Sequence, residues 1–468
     1  MHTNIPFKKI SVIGLGYIGL PTAAVFASRG VEVVGVDINP QTVETINAGR
    51  IHIVEPGLDS VVNTAVNAGT LRATLAPEAA DAFLIAVPTP FIRQAADSTR
   101  QPDLSYIQSA AEEIAPLLKK GDLVVLESTS PVGTTEKLSR WLHKARPDLS
   151  FPHDCGDRSD IRVAHCPERV LPGQVLRELV TNDRIVGGLS PSCSRAATDL
   201  YKLFVKGECV VTNARAAEMS KLTENAFRDV NIAFANELSV ICDRLKIDVW
   251  ELIRLANRHP RVNILNPGPG VGGHCIAVDP WFIVSSCPEQ ARLLSVARDV
   301  NDSKPAYVVG QVLKLAAQFR EPVIACLGLS FKADIDDLRE SPALHIVQQL
   351  AAKDAGKILA VEPNIVKLPR PLSEQGVQLV ELKTALEKAN VVVVLVDHRE
   401  FRALEPSQTA AKEVIDTRGV LARIAGVNTA NIDANGYGMD PENNTKELNK
   451  EGVKETDNKA NKKENMSL

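Results

Sequence analysis

Cys275 stands in the run Pro267-Gly268-Pro269-Gly270-Val271-Gly272-Gly273-His274-Cys275, with Asp279 four residues further on. A thiol attacks carbon only as thiolate, and only where a substrate can reach it. Glycines clear side chains from that approach and let backbone amides point at the reacting centre. The plain alternative is a tight turn around a buried, inert cysteine. Upstream, Lys221, Asn225 and Arg228 fall at i, i+4 and i+7 of a helical segment and so share one face. A solvated polar stripe would read the same way, but the segment is otherwise strongly apolar, which argues that this face lines a site. A lysine there can lose its proton and serve as a base, or stay charged and stabilise an oxyanion.

A second constellation lies near the N-terminus. The apolar run Lys9–Ile13 leads into Gly14-Leu15-Gly16-Tyr17-Ile18-Gly19, and a helical segment opens at Leu20-Pro21-Thr22. Between a strand and a helix this spacing is a dinucleotide fingerprint. Gly14 permits the turn, Gly16 lets backbone approach a pyrophosphate, and Gly19 lets helix pack on strand. The helix N-terminus supplies amides for the phosphates. Asp37, 18 residues past Gly19, ends the next strand, where a carboxylate accepts from ribose hydroxyls and repels a 2′-phosphate. NAD is therefore expected rather than NADP. Thr89 and Ser128-Thr129 end two further strands at the ligand-binding edge of such a sheet, although caps and turns use the same residues.

Three more clusters invite ligands. Cys166-Pro167-Glu168-Arg169-Val170 offers a carboxylate and a guanidinium together, with a surface ion pair as the competing reading. Arg258-His259-Pro260-Arg261 is a cationic group suited to a diphosphate or a carboxylate. Phe331-Lys332 through Arg339 follows a strand and forms another ligand edge.

The elements that must position these residues are legible from period and punctuation. Short apolar runs (Lys9–Ile13, Val31–Val36, Ala82–Val87, Leu123–Leu126, Ile161–Ala164) alternate with helical stretches, the rhythm of a parallel α/β sheet up to about residue 190. Residues 213–258 contain neither Gly nor Pro and read as one long helix followed by a second at Val249–Asn257. Beyond Pro322 the α/β rhythm returns, with strands at Val323–Leu329, Lys357–Val361, Asn390–Val396 and Glu413–Asp416 and a helix at Ser341–Ala355. The fold class is α/β: two Rossmann-like doubly wound domains joined by a long central helix within an all-helical middle domain. The expected units are 1–212, a Rossmann-like NAD domain; 213–318, helical, with the cysteine loop; 319–428, a second Rossmann-like domain; and 429–468, a polar tail too poor in apolar groups to fold.

Composition excludes other classes. A net charge of −4 argues against nucleic acid or an anionic membrane as main partner. The 8 cysteines show no CxxC pair, so no metal centre is expected and reduced thiols in a cytoplasmic protein fit. Ile10–Leu20 is broken by three glycines, so neither a signal peptide nor membrane insertion is expected.

Taken in order, Gly14–Gly19, Pro88-Thr89-Pro90, Ser128-Thr129, Pro167-Glu168-Arg169, Lys221–Asn225, Gly272–Cys275 with Asp279, and Phe331-Lys332 with Arg339 resemble the UDP-glucose/GDP-mannose dehydrogenase family over roughly residues 8 to 425. The stretches Ile51–Pro56, Lys221–Asn231 and Asn257–Asn263 are most similar to its branch acting on UDP-N-acetyl-D-mannosamine. That branch serves bacterial surface polysaccharides such as enterobacterial common antigen. The resemblance implies an NAD-dependent four-electron oxidation at C6 of a UDP-sugar to the uronate, through a thiohemiacetal and a thioester on Cys275. It implies Lys221 as acid/base or oxyanion stabiliser and Asn225 sharing the oxyanion. Asp279 and Thr129 would organise water and proton transfers, and Glu168 would assist hydrolysis. It implies Arg169, Val170, Lys221, Asn225, Arg228, His259, Arg261, Gly272, Phe331 and Lys332 around the UDP-sugar. Around NAD it implies Gly14, Gly16, Tyr17, Ile18, Gly19, Asp37, Thr89, Thr129 and Arg339. A homodimer through the long helix is implied as well. The alternatives are the same chemistry on UDP-glucose, UDP-galactose or UDP-N-acetylglucosamine, a simpler two-electron 2-hydroxyacid-type dehydrogenase, and a non-catalytic NAD-binding module that acts by association. Neither of the last two has a use for Cys275 together with Lys221, Asn225 and Asp279.

Overall fold

Eight strands build the first sheet: β1 (Lys9–Ile13), β2 (Glu32–Val36), β3 (Leu71–Thr74), β4 (Ala82–Ile85), β5 (Leu123–Leu126), β6 (Arg162–His165), β7 (Arg184–Gly188) and β8 (Cys209–Asn213). Their order is β3-β2-β1-β4-β5-β6-β7-β8. The computed structural model describes residues 7–92, 100–171, 173–273 and 275–421, so the expected polar tail at 429–468 lies outside the described residues. β1, β2, β4 and β5 are buried on both faces apart from strand-end residues, and two apolar clusters sandwich the sheet, one around Phe26 and Leu200, the other around Phe83 and Leu138. This is why those strands read as continuous apolar runs. β3 escaped that reading because it alternates buried and half-buried residues at the sheet edge.

One step departs from the expected parallel rhythm. β6 and β7 pair antiparallel, through Ala164 with Gly188 and His165 with Gly187. The reason is visible at the turn: Glu168, just past β6, is ion-paired at 2.6 Å with Arg184, the first residue of β7. Both are buried, so the chain is held at one edge of the sheet instead of crossing back before β7.

The middle of the molecule is helical. The helix Ala214–Leu245 runs 32 residues; it starts at Asn213, whose side chain accepts from the Ala216 N–H, and stops at Lys246 in the left-handed conformation. Val249–Ala256, Asp279–Ser286 and Arg292–Ala316 follow. The two long helices are tied by a buried polar network. The Arg298 guanidinium pairs with Asp229, and Asn301 donates to Asp229 at 2.8 Å. Asn236 donates to Asn301 at 2.8 Å. These bonds fix how the two helices pack against each other, although Asp229 Oδ2 and Arg298 Nε are left without a protein partner.

The second sheet has β9 (Val323–Leu327), β10 (Lys357–Val361), β11 (Gln378–Leu379), β12 (Val391–Val394) and β13 (Glu413–Asp416). It is ordered β11-β10-β9-β12-β13, parallel in every pairing. The helix expected at Ser341–Ala355 spans Pro342–Ala352, capped by the Ser341 hydroxyl.

Candidate active site

At the glycine turn the fit to a dinucleotide can be tested on space alone. A Cβ on Gly14 (φ +92°) would come within 2.6 Å of the Ala86 carbonyl oxygen, and one on Gly19 within 1.8 Å of the Gly14 oxygen. Both positions are closed to any side chain. Gly16 is the opposite case: nothing lies within 4 Å of the Cβ it lacks, so the backbone there faces open space where a pyrophosphate can approach. Asp37 is half-buried; it accepts from Leu15 N–H at 3.1 Å and from Asn39 N–H at 2.9 Å. It is thereby fixed beside the turn with carboxylate surface left for a ribose. The residues present therefore fit NAD.

Around this turn the structure gathers several expected partners. The Thr89 hydroxyl donates to the Thr129 carbonyl at 2.6 Å, which joins the ends of β4 and β5. The Arg339 guanidinium lies 5.8 Å from the Tyr17 ring centroid, so the C-terminal domain reaches over the nucleotide turn. Ile18 is half-buried and precedes the helix Gly19–Ala27. One neighbour went unassigned in the sequence: His52 stands beside Asp37 and Leu15, and burial lowers its pKa.

The cysteine loop is built from three sides. Asn236 on the long helix accepts from the Gly268 N–H at 2.8 Å. A Cβ on Gly272 would meet the Glu340 oxygen at 2.4 Å, and one on Gly273 the Phe331 ring at 3.0 Å. The loop is thus pressed against the C-terminal domain, and Gly272 acts by close approach. The Cys275 carbonyl accepts from Asp279 N–H at 2.9 Å, which closes the turn leading into the helix Asp279–Ser286.

Cys275, Asp279, Asn225 and Lys221 meet there. Asn225 donates to the Asp279 carboxylate from the long helix. Burial pushes the Asp279 carboxyl up to about 6, while Asn225 and the Lys221 charge pull against it. Cys275 reaches solvent, yet the protein mass around it and the Asp279 carboxylate raise its thiol above the ordinary value, with Lys221 opposing. The helix spacing that suggested one polar face thus delivers the Lys221 charge to the neighbourhood of the thiol and Asn225 to Asp279. Arg228, one turn on, lies near Lys332 of the C-terminal domain, whose ammonium pKa is lowered by burial first and by Arg228 second. Two cations facing each other across a domain boundary are what a diphosphate would bridge.

Glu168 and Arg169 take different surroundings. The buried Glu168 carboxylate pairs with Arg184 at 2.6 Å and accepts its neighbour's N–H, from Arg169, at 2.7 Å. Arg169 turns to Glu224 at 2.7 Å, one turn of helix from Lys221. Val170 packs against the core. Behind them burial pushes Glu127 up to about 7, despite Arg184, and the Tyr201 hydroxyl donates to Glu127 at 2.6 Å. His259 and Arg261 are exposed on the turn after Val249–Ala256; the Arg261 N–H donates to His259 Nδ1 at 3.3 Å. Among the described residues neither makes a hydrogen bond or ion pair to the cysteine cluster. Arg184 and Asn236, which hold the Glu168 and Gly268 segments, and Arg298, which ties the two long helices together, had no local signal in the sequence.

This ordered geometry has known counterparts. Residues 8–205, 215–303 and 325–423 match the NAD binding, central and UDP binding domains of the UDP-glucose/GDP-mannose dehydrogenase family. The chain belongs to that family. It is an NAD-dependent oxidoreductase whose substrate is a UDP-sugar. It is 66% identical over 417 residues (89% of this chain, 97% of the relative) to an NDP-N-acetyl-D-galactosaminuronic acid dehydrogenase of Ralstonia nicotianae. It is 63% identical over 396 residues (84% and 96%) to the UDP-N-acetyl-D-mannosamine dehydrogenase of Campylobacter jejuni. Among solved structures, the UDP-N-acetyl-mannosamine dehydrogenase Cap5O from S. aureus superposes with a TM-score of 0.78 at 42% identity, over 90% of this chain and 96% of that one. No described helix is long and apolar enough to cross a membrane.

Proposed function

We propose that this dehydrogenase oxidises UDP-N-acetyl-D-mannosamine at C6 to UDP-N-acetyl-D-mannosaminuronate, through a thioester on Cys275, for a bacterial surface polysaccharide. The observation that carries the reading is that Lys221 and Asp279 both act on the Cys275 thiol while Asn225 holds Asp279. Two NAD, held one after the other at the glycine turn, would supply the hydride acceptors, one for each oxidation. Lys221 takes the C6 hydroxyl proton or keeps its charge beside the developing oxyanion, and the Asn225 amide shares that oxygen. Cys275 Sγ then adds to the aldehyde carbon, its proton passing to the oxygen to give a thiohemiacetal. Loss of a second hydride and of that hydroxyl proton leaves the thioester. Water attacks the acyl carbon, the carbon–sulfur bond breaks, and the thiol returns. Asp279 and Thr129 order this water and its protons. Glu168, fixed by Arg184, orders the Arg169 backbone and assists hydrolysis. Arg169, Val170, Arg228, His259, Arg261, Gly272, Phe331 and Lys332 complete the UDP-sugar site.

The same reading includes a cytoplasmic homodimer. Phe227 (68% exposed), Phe234 (51%) and Ile241 (44%) repeat every seven residues along the long helix, an apolar line that a second copy would cover. Sedimentation of the purified chain at monomer mass would remove this part.

The name of the Ralstonia nicotianae relative, an NDP-N-acetyl-D-galactosaminuronic acid dehydrogenase, favours a second reading, in which the sugar has the galacto configuration, differing from the manno at C2 and C4. Both readings keep an acetamido group at C2. The test is NADH released per UDP-N-acetylmannosamine consumed, with excess NAD. Two per sugar is the expected value. One would stop the reaction at the aldehyde and take Cys275 out of its role, and no turnover, with turnover on UDP-N-acetylgalactosamine, would exchange the sugar and keep the chemistry. The acid limb of kcat/KM is expected near pH 6, because Asp279 protonates below that value and can no longer accept a proton. Asp279→Asn should abolish that limb along with most of the activity.

A further inference from the structure

The structure assigns a divalent transition-metal site, of the class zinc typifies, to His143, His153 and Asp154 on the N-terminal domain. One ligand atom from each lies within 4.8 Å of the other two. His143 Nδ1 is 3.2 Å and His153 Nε2 is 3.1 Å from the same oxygen, Asp154 Oδ2. A tetrahedral zinc with bonds of about 2.0–2.1 Å sets its ligand atoms about 3.3 Å apart, so the two His–Asp154 edges already stand near the required length, and the third lies within 4.8 Å. Two imidazoles and a carboxylate are a borderline-soft donor set, and water can fill the remaining position.

The rings are also held as ligands would need them. The buried Ser139 Oγ lies 2.7 Å from His153 Nδ1. When Nε2 binds metal, Nδ1 carries the proton and donates it to Ser139, which fixes tautomer and orientation together. His143 stacks on Phe151, with ring centroids 5.4 Å apart and planes at 28°. Arg140 stands close enough for its charge to act on His153. The Arg140 charge works against a cation, and Asp154 offsets it.

The site is remote from the chemistry. The helix Thr134–Ala145 leaves the carboxyl edge of β5 and runs back towards the start of β6, so His143, in its last turn, sits at the edge of the sheet opposite Thr129. A metal there would clip the end of that helix to the turn Pro152–Cys155 and act on stability alone.

The competing account is a plain hydrogen-bonded His–Asp–His group, and metal uptake separates the two. The full chain, His143→Ala and Asp154→Asn are titrated with Zn2+ alone against a chromophoric chelator, and with Co2+ by visible absorption. The intact chain is expected to bind one equivalent at least about tenfold more tightly than either variant does, with a tetrahedral Co2+ spectrum that both lack. Because free cysteines also bind zinc, the difference between chains is the readout. Zinc should raise the Tm of the intact chain and not that of His143→Ala, with equal turnover in both. Should His143→Ala not fold, His143→Gln, which keeps a planar group against Phe151, replaces it. Equal uptake by all chains, or equal Tm shifts, overturns the site.

Discussion

The two Rossmann-like domains are built on one plan and differ at the residue that matters most for a nucleotide. Gly14 (φ +92°) donates to the Val36 carbonyl at 2.8 Å, and Gly328 (φ +95°) donates to Val361 at 2.8 Å. An acid ends the second strand of each. Asp37 accepts from Leu15 and Asn39 amides; Glu362 accepts from Leu329 at 2.7 Å, Ser330 at 3.0 Å and Asn364 at 3.2 Å. Beyond that the domains part. Asp37 keeps an open side, whereas Glu362 is sealed by His398, whose Nε2 lies 3.1 Å away in the buried interior. Asp334 N–H donates to His398 Nδ1 at 2.9 Å, so Nδ1 is the acceptor and Nε2–H points to the carboxylate. The first domain has glycine at 14, 16 and 19, and the second has only Gly328, followed by Ser330 and Ala333. A shared backbone does not make a shared site: the second copy spends its acid on its own loop, and that loop, 330–342, is what presses on Gly272 and carries Lys332 and Arg339 to the other domains.

The comparison can be broken in graded steps. Gly16→Val should have the largest effect, since it fills the open space over the first turn: NAD binding should fall by about a hundredfold or more in calorimetry (about 2.8 kcal/mol), with the fold intact by circular dichroism. His398→Ala comes next. It removes the buried partner of Glu362 and should cost about 2 kcal/mol of unfolding free energy in urea, while NAD affinity stays unchanged; weakened NAD binding would show that the second acid does reach the cofactor. Asp37→Ala should weaken NAD about tenfold, near 1.4 kcal/mol, and narrow its advantage over NADP, with stability barely moved. The smallest effect is in acid. Burial works to raise the Glu362 pKa, but His398 and the Leu329 amide outweigh it and hold the carboxyl below its ordinary value of 4.5. Its contribution to stability is therefore present above about pH 4.5 and lost as pH falls through the depressed native value. Glu362→Gln should flatten that stretch of the stability–pH curve, and an unchanged curve would mean that the pair contributes nothing.

Much of the fold was legible because strands buried on both faces must be apolar throughout, and 213–258 lacks any helix breaker. β3 was not, being an edge strand that alternates, and the antiparallel step at β7 was not, because its cause is a pair, Glu168 and Arg184, separated by fifteen intervening residues. At the site, Lys221, Asn225 and Arg228 were legible from helical spacing, and Gly14, Gly16 and Gly19 from turn chemistry. Arg184, Asn236 and Arg298 were not, since a buried polar residue shows its partner only once distant segments are packed together.

By itself the sequence determined the chemistry on offer: a thiol in a glycine loop, a lysine and an amide on one helix face, a phosphate-binding turn with its acid. Those depend on covalent identity and on spacings that helix and strand periods fix locally. Tertiary structure alone decided which groups meet and in what state: Asp279 raised to about 6 by burial beside Asn225, Arg339 laid over Tyr17 from another domain, Glu362 sealed where Asp37 stays open, and His143 brought to His153. Each of these depends on desolvation or on contact across long loops, and both are properties of packing that no local pattern of residues carries.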